Sequence, residues 1–222
     1  MRAPIAVLFD MDGLLIDSEP LWTIAEVELM AALGGEWDPS LKARFVGRHI
    51  DSSAQLFLEL TGSDKPVEWV IAFLLERVGA LFRAELPLMP GVAVLLAELQ
   101  RRGVPMAVVS ASPRGLVDAA LEDLGGDRFG VTVAGDEVSA AKPDPEAYLK
   151  AAAELGVEPA RCIVVEDSAP GVRAGEAAGC VVLAVPSVAP IAAAPGRYVV
   201  ATLADLDVDW LLGLPDAGRP LA

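Results

Sequence analysis

The chain has 222 residues, 54% of them hydrophobic, and it sets 17 Lys and Arg against 32 Asp and Glu for a formal net charge of −15. That balance argues against nucleic acid or an anionic membrane as a partner, since both reward clustered basic residues, and it poses a question for any anionic ligand. At about 150 residues per domain the length fits one large domain, or one with a substantial insert, and leaves ample chain for a core.

In chain order, residues 5–9 form a continuous apolar run of strand length, too short for a signal-peptide core and followed by Asp10-Met11-Asp12-Gly13. Residues 18–86 hold no clear strand pattern. Helical periodicity appears there at residues 22–33, 53–60 and 67–82, broken by Gly34-Gly35, Gly47 and Gly62. This stretch reads as a helical insert that returns through the stiff segment Pro87-Leu88-Met89-Pro90-Gly91. Apolar runs resume at residues 106–109, 163–165 and 181–185, with a weaker one at 131–134. Helix-like segments at 92–101, 115–124, 145–155 and 171–178 alternate with them. Continuous apolar strands alternating with helices predict an α/β fold with a mainly parallel sheet covered on both faces. The uncharged stretch 177–196 has the length of a membrane span, but Gly179, Pro186, Pro190 and Pro195 make it a buried strand and a loop.

Two residue types inform by their scarcity. Cys162 and Cys180 adjoin apolar runs, which predicts buried thiols in a reducing cytoplasm rather than a disulfide framework. The single histidine, His49, excludes multi-histidine zinc sites, and no Gly-x-Ser-x-Gly elbow is present for Ser-His-Asp chemistry.

Asp10 and Asp12, Ser110, Lys142, and Glu166-Asp167 each follow a strand-like run or its loop. In a parallel sheet the carboxyl ends of the strands share one edge, so residues distant in sequence meet there. Carboxylates, a hydroxyl and one ammonium at that edge suit a hard cation such as Mg²⁺ beside a phosphate group. The two aspartates of Asp-x-Asp point the same way in an extended segment, one available as nucleophile and the other as proton donor. An EF-hand reading fails, because Gly13 falls at the fourth position and a strand precedes the loop.

Phe9-Asp10-Met11-Asp12-Gly13, Val108-Val109-Ser110-Ala111-Ser112, Ala141-Lys142-Pro143-Asp144-Pro145 and Val165-Glu166-Asp167-Ser168 together resemble the four motifs of the haloacid dehalogenase superfamily. Asp12 to Pro20, the helical insert and Ser110-Ala111-Ser112-Pro113 look like its β-phosphoglucomutase-like branch, especially the sugar-phosphate and hexitol-phosphate phosphatases. The resemblance implies a Rossmann-like catalytic core over residues 1–16 and 88–222, with a helical cap domain over 17–87. It implies that Asp10 attacks phosphorus and that Asp12 protonates the leaving alkoxide and later activates water. Ser110, the Ala111 amide and Lys142 hold the phosphoryl group. Mg²⁺ sits on Asp10, the Asp12 main-chain carbonyl and Asp167, with Glu166 close by. In the cap, Glu19, Trp22, Arg48, His49 and Asp51 are candidates for reading the leaving group.

The expected enzyme is thus a cytoplasmic, monomeric phosphoric monoester hydrolase acting on a small phosphorylated metabolite, with neither nucleic acid nor membrane as partner. Two alternatives stand beside it. A phosphomutase would carry a cap histidine ten residues after the second aspartate, where this chain has Trp22. A non-catalytic binding protein on the same fold would be expected to have lost one of the four motifs.

Overall fold

The computed structural model describes residues 5–45, 50–187, 189–204 and 206–217. The chain divides into two compact units, one of Met1–Asp17 with Pro87–Ala222 and one of Ser18–Leu86. In chain order the elements are β1 (Ala6–Phe9), α1 (Glu19–Ala32), α2 (Lys42–Phe45), α3 (Ile50–Thr61), α4 (Val67–Ala84), α5 (Val92–Arg101) and β2 (Met106–Val109). There follow α6 (Arg114–Leu124), β3 (Val131–Val133), α7 (Glu146–Leu155), β4 (Cys162–Glu166), α8 (Ala169–Ala177), β5 (Val181–Ala184), β6 (Arg197–Val199) and α9 (Val208–Ala217).

The first unit is a Rossmann-like α/β layer structure. Its six strands are all parallel, in the order β3-β2-β1-β4-β5-β6. Every residue of β1, β2 and β4 is buried, which is why these strands read as unbroken apolar runs: a central parallel strand is covered on both faces. α7 packs over β1, β2 and β3, and α8 over β4 and β5. Burying each large aliphatic of this layer, such as Leu8 or Ile163, stabilises it by about 1.5–3 kcal/mol. Phe9 pairs with Val108 on one side and Val165 on the other. That register brings the residues just beyond the three strands to the same level.

The second unit is helical. α1 and α3 both pack on α4, burying Leu29, Phe57, Val70, Leu74 and Val78. Phe45 stacks on Phe57 with ring centroids 4.3 Å apart. Lys42 ties α2 to α1, its Nζ 2.8 Å from Glu19 and 2.9 Å from Glu26.

Three elements have no counterpart among the sequence expectations. α2 is a single turn. β6 is a partly exposed edge of three residues, too short for a recognisable run. α9 contains Pro215, which disguises it, although the Asp207 carboxylate accepts from the backbone N–H groups of Asp209 and Trp210 as a helix cap does. Residues 181–184 form the strand of the uncharged stretch, and 185–187 and 189–196 its loop. Among the described residues no helix is long and apolar enough to cross a membrane. Cys162 and Cys180 are free and buried.

Candidate active site at the carboxyl ends of the strands

Asp10 leaves β1 at the sheet edge, its backbone N–H still bonded to the Val165 carbonyl at 3.0 Å. The chain then turns tightly, with the N–H groups of Leu15 and Ile16 donating to the Met11 carbonyl. Gly13 makes the turn possible: its φ is +79°, and a Cβ there would lie 2.4 Å from Asp167 Oδ2. From β2 comes Ser110, buried, whose N–H continues the ladder to the Val133 carbonyl. Ser110 and Ser112 both donate to Asp12 Oδ2, at 3.3 and 2.8 Å, and the Ser112 N–H donates to Ser110 Oγ at 2.9 Å. Lys142 enters from the loop before α7, while Glu166 and Asp167 leave β4. Gly171, at the start of α8, leaves room for Glu166, because a Cβ would lie 1.6 Å from Oε1.

Lys142 is the hub. Its three ammonium protons go to Asp10 Oδ1 at 2.6 Å, Glu166 Oε1 at 2.8 Å and the Val109 carbonyl at 2.9 Å. Tyr148, fully buried on α7, donates to Glu166 Oε1 at 2.9 Å and presents its ring to Lys142 at 4.8 Å. The other Glu166 oxygen accepts from the N–H and hydroxyl of Ser168.

The charges are held far from their ordinary behaviour. Burial raises the Asp10 carboxyl well above its usual range against the pull of Lys142, and Glu166 and Asp167 push it the same way. Burial works against the Lys142 charge, but Asp10 and Glu166 outweigh it, so the ammonium is held more tightly than usual. Burial would also raise Glu166, yet Lys142 and the Ser168 hydrogen bonds bring it below its ordinary value. Asp167 is pushed up to about 6 by burial, with Glu166 adding and a hydrogen bond from Ser187 opposing.

The structure thus gathers Asp10, Asp12, Ser110, Lys142, Glu166 and Asp167 at one sheet edge, with Ala111 on the exposed loop between the two serines. Glu19, Trp22 and Asp51 lie in the helical unit: Glu19 faces Lys42, Trp22 is half-buried and Asp51 stands in the first turn of α3. Arg48 and His49 fall outside the described residues. Sequence reasoning did not single out Ser112, Tyr148, Ser168 or Ser187 for a role. Ser112 and Ser168 sit inside the motifs and had a signal. Tyr148 looks like any core aromatic on a helix, and Ser187 is a loop serine whose proximity to Asp167 only folding creates.

Asp10, Glu166 and Asp167 each offer an oxygen within 4.8 Å of the others. One lysine cannot neutralise three carboxylates, and the donors are all hard oxygens, so the cluster suits a hard divalent cation.

Three comparisons agree with this geometry. The family model described as haloacid dehalogenase-like hydrolase matches residues 6–179. Hexitol phosphatase B of Escherichia coli (strain K12) is 36% identical over 96% of this chain and 98% of its own length. Validoxylamine A 7'-phosphate phosphatase of Streptomyces hygroscopicus subsp. limoneus is 37% identical over 78% of this chain and 81% of its own. Among solved structures, CbbY from Rhodobacter sphaeroides in complex with phosphate superposes with a TM-score of 0.80 at 31% identity, covering 91% of this chain and 96% of that one. With its four motifs folded into one acidic site at the sheet edge, the chain belongs to the haloacid dehalogenase-like hydrolases, in the branch that holds the hexitol phosphatases.

Proposed function

We propose that this enzyme, a phosphoric monoester hydrolase, releases phosphate from a small phosphorylated sugar or polyol through an aspartyl-phosphate on Asp10, with Mg²⁺ as cofactor. The observation that carries the reading is the Asp10 carboxylate, at the end of a buried strand and 2.6 Å from the Lys142 ammonium, beside two further carboxylates. The relatives named hexitol phosphatase B and validoxylamine A 7'-phosphate phosphatase support the substrate class.

In the first step an Asp10 oxygen attacks phosphorus and the P–O bond to the sugar breaks, while Asp12 gives its proton to the departing alkoxide. In the second, Asp12 takes a proton from water, whose oxygen attacks phosphorus; phosphate leaves and Asp10 is regenerated. Ser110, the Ala111 amide and Lys142 hold the phosphoryl oxygens, since this transfer depends on positioning and on neutralising the equatorial oxygens. Asp10, the Asp12 main-chain carbonyl and Asp167 would hold Mg²⁺, with Glu166 as the third carboxylate of the cluster; when bound it supplies the positive charge that the transferred group needs.

Residues 1–16 and 88–222 are assigned as the catalytic core and 17–87 as a cap that selects the leaving group, with Glu19, Trp22, Arg48, His49 and Asp51 as its candidate readers. Trp22, at the place of the mutase histidine, favours water over a second sugar hydroxyl as acceptor. The two buried free thiols support a reducing, cytoplasmic setting, and the enzyme is taken to act as a monomer.

The test is release of inorganic phosphate from a panel of phosphorylated sugars and polyols with Mg²⁺, run beside Asp10→Asn. Turnover by the parent and its loss in the variant are expected. Full activity of Asp10→Asn, or no hydrolysis of any substrate, overturns the reading, and interconversion of hexose phosphates without phosphate release replaces it with a mutase.

A further inference from the structure

Asp12 is held asymmetrically. Two hydroxyls converge on its Oδ2, the short one from Ser112 at 2.8 Å and the long one from Ser110 at 3.3 Å. Its Oδ1 is buried and has no hydrogen-bond partner among the described residues. A carboxyl oxygen that accepts two hydroxyl protons has its lone pairs occupied, so a transferable proton belongs on the other oxygen.

Ser112 is also the residue that organises the pair. Its N–H donates to Ser110 Oγ at 2.9 Å, which turns the Ser110 hydroxyl proton away from the loop, toward Asp12 in the free enzyme and available to a phosphoryl oxygen once substrate binds. The shorter Ser112 bond is thus the lasting hold on Oδ2. Its carbonyl accepts from the Gly135 N–H at 2.9 Å, and the N–H of the nearby Arg114 is held by the Asp136 carboxylate. The Ser112 hydroxyl is therefore fixed from the side of β3, independently of substrate.

We propose that Ser112 is the positioning residue of Asp12: it holds the carboxyl by Oδ2 and leaves Oδ1 to deliver and recover the proton. This rests on the assignment of Asp12 as general acid and base. A phosphate-binding role for Ser112 would slow every substrate alike. A role through Asp12 slows only those whose leaving group needs a proton, because a nitrophenolate departs without one whereas an alkoxide does not.

The experiment compares kcat/KM, which reports the first phosphoryl transfer, for the alkyl phosphate hydrolysed fastest in the panel and for p-nitrophenyl phosphate. Ser112→Ala, Ser112→Thr and Asp12→Asn are run together. For the alkyl substrate Ser112→Ala is expected to lose about 10- to 100-fold, the range of one hydrogen bond to a charged group, and for the aryl substrate under about threefold. Ser112→Thr, which keeps the hydroxyl, should stay near the parent on both. Retained aryl turnover also shows that the variant is folded. Equal losses on the two substrates, or no alkyl loss in Ser112→Ala while Asp12→Asn shows one, overturn the role of Ser112 alone. An Asp12→Asn variant with no alkyl-selective loss overturns the acid-base assignment, and the inference falls with it.

Discussion

Each unit of the molecule contains one lysine set between two carboxylates. In the sheet unit Lys142 joins Asp10 and Glu166 at 2.6 and 2.8 Å; in the helical unit Lys42 joins Glu19 and Glu26 at 2.8 and 2.9 Å. The geometry is nearly the same, and the solvent is not. The side chains of Lys142 and Glu166 are 7% and 0% exposed, those of Lys42 and Glu19 24% and 45%. Water reaches the second trio more freely, and within it Glu26 is raised by burial against the pull of Lys42. Water cannot screen the first, where every member is shifted. One trio fastens two helices together. The other stores unbalanced charge at the candidate active site.

The largest difference should appear when the lysines are removed. Lys142→Met leaves two buried carboxylates facing each other, with an expected loss of about 3–5 kcal/mol in stability and on the order of 10³-fold in turnover. Urea unfolding and phosphate release measure the two. Equal urea midpoints for Lys142→Met and Lys42→Met would erase the contrast between the trios.

Asp167 sharpens the comparison through pH. Its carboxyl is raised from 3.8 to about 6, chiefly by burial, so the folded state binds this proton more tightly than the unfolded chain does. Stability from this group is therefore complete below about pH 4 and declines as pH rises through about 6. With a chelator present, Asp167→Asn should be more stable than the parent at pH 8 by about 1–3 kcal/mol, and the gain should vanish near pH 4. Thermal unfolding across that range checks it; a variant less stable than the parent at pH 8 contradicts burial as the cause.

The smallest effect belongs to the helical unit. Lys42→Met should cost about 0–1 kcal/mol, and a double-mutant cycle with Glu26→Gln should give a coupling below about 1 kcal/mol. A coupling as large as that expected at Lys142 would mean that exposure does not separate the two.

How much of this was readable without coordinates differs between the regions for a physical reason. β1, β2 and β4 are buried on both faces, so each is an apolar run that ends in a polar residue, and the ends marked Asp10, Ser110 and Glu166 before any folding was known. The helices of the insert were legible by their period, though α1 begins three residues before the pattern at Trp22 because its first turn carries Glu19 and Pro20 instead of a core residue. The partners that hold the site were not legible. That Tyr148 supports Glu166, or that Ser187 reaches Asp167 across twenty residues, depends on strand order and register, which periodicity does not encode. The same holds for Lys42, whose partners Glu26 and Glu19 lie 16 and 23 residues before it, on another helix.

The ends of the helical insert are clasped together. Ile16 and Leu88 form an antiparallel bridge, and the Asp17 N–H donates to the Pro87 carbonyl at 2.8 Å. For the sheet, everything between those residues has the status of one hairpin loop, and loop-closure entropy grows only slowly with length. Inserts of other sizes and sequences can thus be exchanged at this clasp without disturbing strand order, so that a lineage, or a protein engineer, can replace the helical unit while the residues at the sheet edge keep their places.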